Sequence, residues 1–290
     1  MIRASRLVVF IAIVFAVAGC GGGSHGSASS RSAGGRGVYL AAVTKAADVT
    51  GQVPGYKFAI SIDSTIASKS VSFSGTGLIS ERGAQGSFEM SVAGTTITEI
   101  IDKPYIYVKI PSAGRRSETH GKPWARADLS LFAESFGASS LGSGSADPTQ
   151  TLGFLKSAGT VTRVGSETVR GAPATRYHAV IDLDRYASAA APGQRASAKR
   201  YAEAFKRISG ASSLPIDVWI DGRSHVARMA FTLSLCSPEG GHLQESLNYE
   251  LFGYGPQAVP APPPASQVTD ITARLKAQVA KGLQELSCSK

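Results

Sequence analysis

The sequence predicts an α+β fold: one strongly curved antiparallel sheet of about ten strands, with helices covering its concave face. Three observations predict it. From Tyr56 onward, apolar residues recur at every second position in short runs separated by turn residues, as in strands that bury one face. Apolar residues at helical spacing recur in Pro192 to Ile208 and in Val268 to Leu286. A sheet of so many strands curls, and helices set between the strands can cover its hollow side, giving one bent layer rather than two domains.

The strands follow in order. Tyr56, Phe58, Ile60 and Ile62 alternate with Lys57, Ala59, Ser61 and Asp63. Val71 to Ser80 is a second strand, turned by Glu81-Arg82-Gly83. Gly86 to Val92 is a third, with Phe88 and Met90 on one side; Thr95 to Ile101 and Pro104 to Ile110 complete a meander. Pro111 to Lys122 reads as a polar loop, and Trp124 to Asp128 as a short strand. Asp128 suits an N-cap for a helix from Leu129 to about Phe136, and Asp147-Pro148 starts another that carries Leu152 and Leu155 on one face. Gly137 to Ala146, between them, is a Gly/Ser-rich loop. Val161 to Val169 and Ala174 to Leu183 form a hairpin turned by Arg170-Gly171. After the helix at Pro192 to Ile208, with Tyr201 and Phe205 on one side, come strands at Ile216 to Ile220, Val226 to Leu235 and Leu243 to Tyr254. Pro260 to Pro264 is extended, and Val268 to Leu286 closes the chain as a helix.

The N-terminus bears on location. Arg3 and Arg6 precede an uncharged apolar run, Leu7 to Ala18, which is too short for a stable span and suits a secretory signal. Val17-Ala18-Gly19-Cys20 resembles the bacterial lipobox, with Val17 where Leu is usual. That resemblance implies cleavage after residue 19 and lipidation of Cys20, where two or three acyl chains anchor stably. Gly21 to Gly37 is nearly all Gly, Ser, Ala and Arg and reads as a flexible tether. The expected organisation is therefore a signal peptide at 1–19, a lipidated tether at 20–37, one domain at 38–268 and a C-terminal helix at 269–290. Loss of Arg3 and Arg6 takes the net charge from +9 to +7, with the basic residues scattered. Nucleic acid is not the expected partner; the charge reads as a soluble basic surface or, alternatively, as a mild attraction to anionic headgroups. With Cys20 assigned to lipid, Cys236 and Cys288 remain as an even pair in an oxidising compartment, bridged or, alternatively, two free thiols.

Beyond the N-terminus, several motifs fall in a recognisable order. They are Gly121-Lys122-Pro123-Trp124 with Asp128-Leu129, then Val164 to Gly171 leading into Thr175-Arg176-Tyr177. Leu214 to Asp221 follows, and then Tyr249 to Gly255 before the prolines. Over about residues 39–270 the chain resembles the LolA-like half-barrel lipoproteins, in particular the LppX/LprG group of the actinobacterial cell envelope. The resemblance implies a half-barrel whose apolar cavity takes an acylated lipid or glycolipid and carries or presents it, without catalysis. Its implied partner is a lipid or lipoglycan; the membrane through Cys20 and an envelope transporter are further expected partners, with the chain itself a monomer. The alternative is an interaction lipoprotein with a filled core that serves a transporter or a sensor.

Other chemistry finds no pattern. His25, His120, His178, His225 and His242 show no zinc spacing, so no metal or cofactor is expected. Gly142-Ser143-Gly144 lacks the strand-to-helix context of a nucleophile elbow. The cavity candidates are Phe58, Ile60, Phe73, Phe88, Met90, Ile106, Val108, Leu129, Phe132, Leu152, Leu155, Trp219 and Phe231, although each taken singly reads first as part of a packed core.

Overall fold

The computed structural model describes residues 36–66, 69–92, 94–128, 152, 155–190, 192–236 and 242–285. The expected helices from Leu129 and from Asp147 lie outside them, except that Leu152 and Leu155 are helical. The elements, in chain order, are α1 (Arg36–Gln52), β1 (Gly55–Ile66), β2 (Lys69–Ser80), β3 (Gln85–Val92), β4 (Thr95–Asp102) and β5 (Tyr105–Lys109). Then come α2 (Arg115–Thr119), β6 (Trp124–Asp128), β7 (Ala158–Val169), β8 (Ala172–Asp182), α3 (Leu183–Ala189) and α4 (Arg195–Ser209). The chain ends with β9 (Ser213–Asp221), β10 (Val226–Cys236), β11 (His242–Phe252), β12 (Val268–Asp270) and α5 (Thr272–Glu285).

All strands among the described residues belong to one open sheet in the order β12-β6-β5-β4-β3-β2-β1-β11-β10-β9-β8-β7. The α+β half-barrel is as expected, with twelve strands rather than about ten. Neighbours pair antiparallel except β12, which lies parallel to β6. The long crossover is β1 to β11, where Phe58 faces Leu251 and Ile62 faces Leu247. The β7–β8 turn is made by Arg170 (φ 49°) and Gly171 (φ 80°), the left-handed pair that a two-residue hairpin matched to strand twist requires.

Alternation puts the apolar set of each strand on the inner face, where the helices pack. α1 contributes Val43, Ala46 and Ala47 to this core, α3 Leu183, and α4 Tyr201, Ala202 and Phe205. Thr50, fully buried near the end of α1, accepts a hydrogen bond from the Val226 amide at 2.8 Å, pinning the helix to β10. Asp182 caps α3, accepting from the Asp184 and Arg185 amides.

Four details differ from the sequence expectation. Residues 36–52 form α1, so helix begins inside the stretch read as tether. The stretch Pro111 to Lys122 holds a short helix, α2, whose last residue, Thr119, is fully buried and hydrogen-bonds the Arg115 carbonyl. β8 stops at Asp182 because that residue caps α3. The last helix starts at Thr272, not Val268. The preceding residues pair with β6, and Asp270 accepts from the Thr272 amide at 2.9 Å while binding Arg126 at 2.8 Å.

Candidate functional site

Register fixes which side chains share the inner face. Cross-strand partners run Val108, Glu99, Phe88, Gly77, Phe58 and Leu251 in one row over β5, β4, β3, β2, β1 and β11. A parallel row carries Ile97, Met90, Gly75, Ile60 and Tyr249. Two of these positions are glycine for a packing reason. A Cβ on Gly77 would sit 2.6 Å from Phe58 Cε1, and one on Gly75 would sit 2.7 Å from Phe88 Cε2. The two rings therefore lie down over β2, stacked on each other at 5.4 Å between centroids.

Of the cavity candidates, Phe58, Ile60, Phe88, Met90, Leu152 and Leu155 are buried members of the main inner core. Phe73, Val108 and Phe231 are half-buried against it. Ile106 pairs with Ile101 and is half-buried on the same face. Leu129 and Phe132 lie outside the described residues. Trp219 is corrected. Its neighbours Val218 and Ile220 take the inner positions, so its indole faces outward, in a separate small cluster with Val169 and Ala174.

The outer face around Trp219 is ionic. The Arg176 and Arg228 guanidinium groups lie 5.0 and 5.3 Å from the indole centroid, and the indole N–H donates to Glu167 at 2.7 Å. Arg176 bridges Glu167 at 3.0 Å and Asp217 at 2.6 Å, and His178 Nδ1 is 2.8 Å from Asp217. Burial pushes the Asp217 carboxyl up, but the hydrogen bonds from Arg176 and His178 outweigh it, and the net direction is down. Hydrogen bonds from Trp219 and then Arg176 hold Glu167 below the usual range.

Two acids occupy the inner face, and they went unread in the sequence. Glu99 is 7% exposed, and no hydrogen bond or ion pair to its carboxyl comes from the described residues. Burial raises its pKa from 4.5 to about 7. Glu245 on β11 is 4% exposed, its Oε1 accepts from Ser64 Oγ at 3.3 Å, and its Oε2 has no partner. Burial raises its pKa as well, against the Ser64 hydrogen bond, and burial with the nearby Glu245 pushes the Tyr249 phenol up. A signal was available: each acid sits at a period-two inner position between apolar residues, Ile97 and Ile101 for Glu99, Leu243 and Leu247 for Glu245.

Cys236 ends β10 and is buried; Cys20 and Cys288 lie outside the described residues. An open groove of about 490 Å3 runs along α1, lined by Leu40, Ala41, Thr44, Lys45, Asp48 and Val49 among others. Among the described residues, no helix is long and apolar enough to cross a membrane. No group of three or more His, Cys, Asp or Glu there could hold a metal ion.

An open, twelve-stranded half-barrel with helices on its inner face is the class of fold this chain defines. Among solved structures it is similar to the Mycobacterium tuberculosis lipoprotein LppX, at 15% identity and a TM-score of 0.49, covering 77% of this chain and 99% of that one. LprF from Mycobacterium bovis aligns at 13% identity and a TM-score of 0.44, covering 79% and 98%. A LolA superfamily protein from Nitrosomonas europaea aligns at 7% identity and a TM-score of 0.29, covering 77% and 94%. In sequence, an uncharacterized 31.2 kDa protein of Streptomyces griseus is 30% identical over 172 residues, 55% of this chain. The chain spans about half of that relative, 52% of its length. No family model matches.

Proposed function

We propose that this protein is a lipoprotein of the cell envelope, anchored outside the membrane through acylated Cys20, that binds an acylated lipid on the inner face of its half-barrel and carries or presents it. One observation carries the lipid reading: apart from Glu99 and Glu245 the rows across the inner face are apolar, with Gly75 and Gly77 leaving room for the Phe88 and Phe58 rings. Each methylene withdrawn from water there contributes about 0.8 kcal/mol, so such a face gains affinity from acyl length with little polar recognition. The lipobox-like Val17-Ala18-Gly19-Cys20 and the apolar run before it support the anchor, and the cysteine count supports a Cys236–Cys288 bridge.

The test uses the full chain from a lipid-rich host, released from mild detergent for native mass spectrometry. The expected result is a lipid adduct, with uptake of a fluorescent acyl lipid after delipidation. A clean apo mass together with no uptake would refute lipid binding. For the anchor, wild type should incorporate labelled palmitate and sediment with membranes, and Cys20→Ala should do neither. The same label on Cys20→Ala would refute the anchor.

A specific observation favours a second reading. Phe58, Phe88 and Met90 are each only 1% exposed with protein atoms alone, as in the packed core of an interaction lipoprotein. On that reading the apo mass is the expected one.

A further inference from the structure

We infer that Glu99 is the polar handle of the lipid site: its carboxyl O–H donates to an ester carbonyl of a bound acyl lipid, fixing the ester at the β4 end of the row that runs to Leu251 on β11. The inference rests on the lipid-binding reading and adds a ligand class and a position to it.

The geometry is that of a donor set in an apolar wall. Glu99 faces Phe88 on one side and Val108 on the other, and its own strand places Ile97 and Ile101 on the same face. None of these offers a side-chain donor or acceptor, and none of the other described residues hydrogen-bonds the carboxyl. A carboxylic acid left buried in this way is costly unless something completes its hydrogen bonds. Structural polar groups in interiors are normally satisfied by the fold itself, as Thr50 is by the Val226 amide. Glu99 has no such partner among the described residues, and it stands on the face proposed to take the ligand.

The chemistry of the partner follows from the state of the acid. Burial keeps much of the carboxyl protonated near neutral pH, so it presents an O–H and needs an acceptor. An anionic headgroup would meet repulsion whenever Glu99 ionises. A hydrocarbon chain offers no acceptor. An ester carbonyl sits at the root of an acyl chain and accepts without charge. From Glu99 the row continues through Phe88, Gly77 and Phe58, and from β4 to β11 it spans about 19 Å at the usual strand spacing. An acyl chain rooted at Glu99 would lie along it.

The test sets an ester against an ether. Full-length, delipidated protein in mild detergent is incubated with equal amounts of dipalmitoylglycerol and dihexadecylglycerol, which match in chain length and differ in the carbonyls. Native mass spectrometry reads the ratio bound. Wild type should favour the diester by about fivefold, the value of one neutral hydrogen bond of about 1 kcal/mol. Glu99→Gln, whose amide N–H still donates, should keep a preference. Glu99→Leu should bind both lipids equally. A wild-type ratio of one, or an unchanged preference in Glu99→Leu, would overturn the role of Glu99 and leave lipid binding standing. Binding of neither lipid by wild type would overturn the lipid reading itself, and this inference with it.

Discussion

Substituting Glu99→Gln should remove a large pH dependence from the stability of this protein. In the unfolded chain the carboxyl has the ordinary value of 4.5, and burial in the inner face raises it to about 7. Between those values the unfolded chain has released the proton and the folded protein still holds it. The unfolded state therefore binds fewer protons, and stability falls as pH rises through this window. Below pH 4.5 both states are protonated and the effect vanishes; above pH 7 the loss is complete. At about 1.36 kcal/mol per pH unit, the carboxyl costs about 3 kcal/mol at pH 8 relative to pH 4.5. Glutamine has nearly the same shape and no proton to lose, so the variant should gain on wild type by about that amount over the window. Urea unfolding of both proteins at pH 5, 6, 7 and 8, extrapolated to water, measures the difference. Glu245, also raised by burial, titrates in both proteins and cancels. A wild-type minus variant difference that stays constant from pH 5 to pH 8 would refute the claim that the Glu99 carboxyl is buried without a partner.

Further outcomes follow from the packing and the charges. Gly77→Ala places a methyl 2.6 Å from Phe58 Cε1 and 2.6 Å from the Ser87 carbonyl; it should cost about 1–3 kcal/mol in denaturant unfolding and reduce acyl-lipid uptake by lifting the Phe58 ring. Asp217 on the outer face is held below its usual range by Arg176 and His178, so its contribution is present above about pH 4 and lost as pH falls further. Asp217→Asn should lower stability at pH 7 by about 1–2 kcal/mol and flatten the acid limb of the profile, which pH-dependent unfolding would read. Non-reducing peptide mapping should join Cys236 to Cys288, and reduction should cost about 2–4 kcal/mol. Alkylation of both thiols in native, unreduced protein would count decisively against the bridge.

Much of the sheet was legible because strand periodicity is local. Phe58, Ile60, Phe88 and Met90 declare their face by alternation, and they lie in the inner core. The Arg170-Gly171 turn was readable for the same reason, since its left-handed backbone is a property of two adjacent residues. α1 was not read: its buried set is Val43, Ala46, Ala47 and Thr50, small residues interspersed with polar ones, and they stand out only once β7 and β10 are set against them. Glu99 and Glu245 carried a sequence signal, an acid at an apolar position, but its meaning depends on whether a partner reaches it.

The sequence by itself determined the lipobox-like N-terminus, the strand faces and most turns, since these rest on neighbours within a few residues. Only the tertiary structure decided the rest. It set β1 beside β11, nearly two hundred residues away in the chain, and β12 parallel to β6. It turned Trp219 outward between two arginines. It left Glu99 inside with no hydrogen bond from the described residues. Each of these outcomes depends on which groups meet across the sheet, and burial and charge act between groups that meet in space, however far apart they stand along the chain.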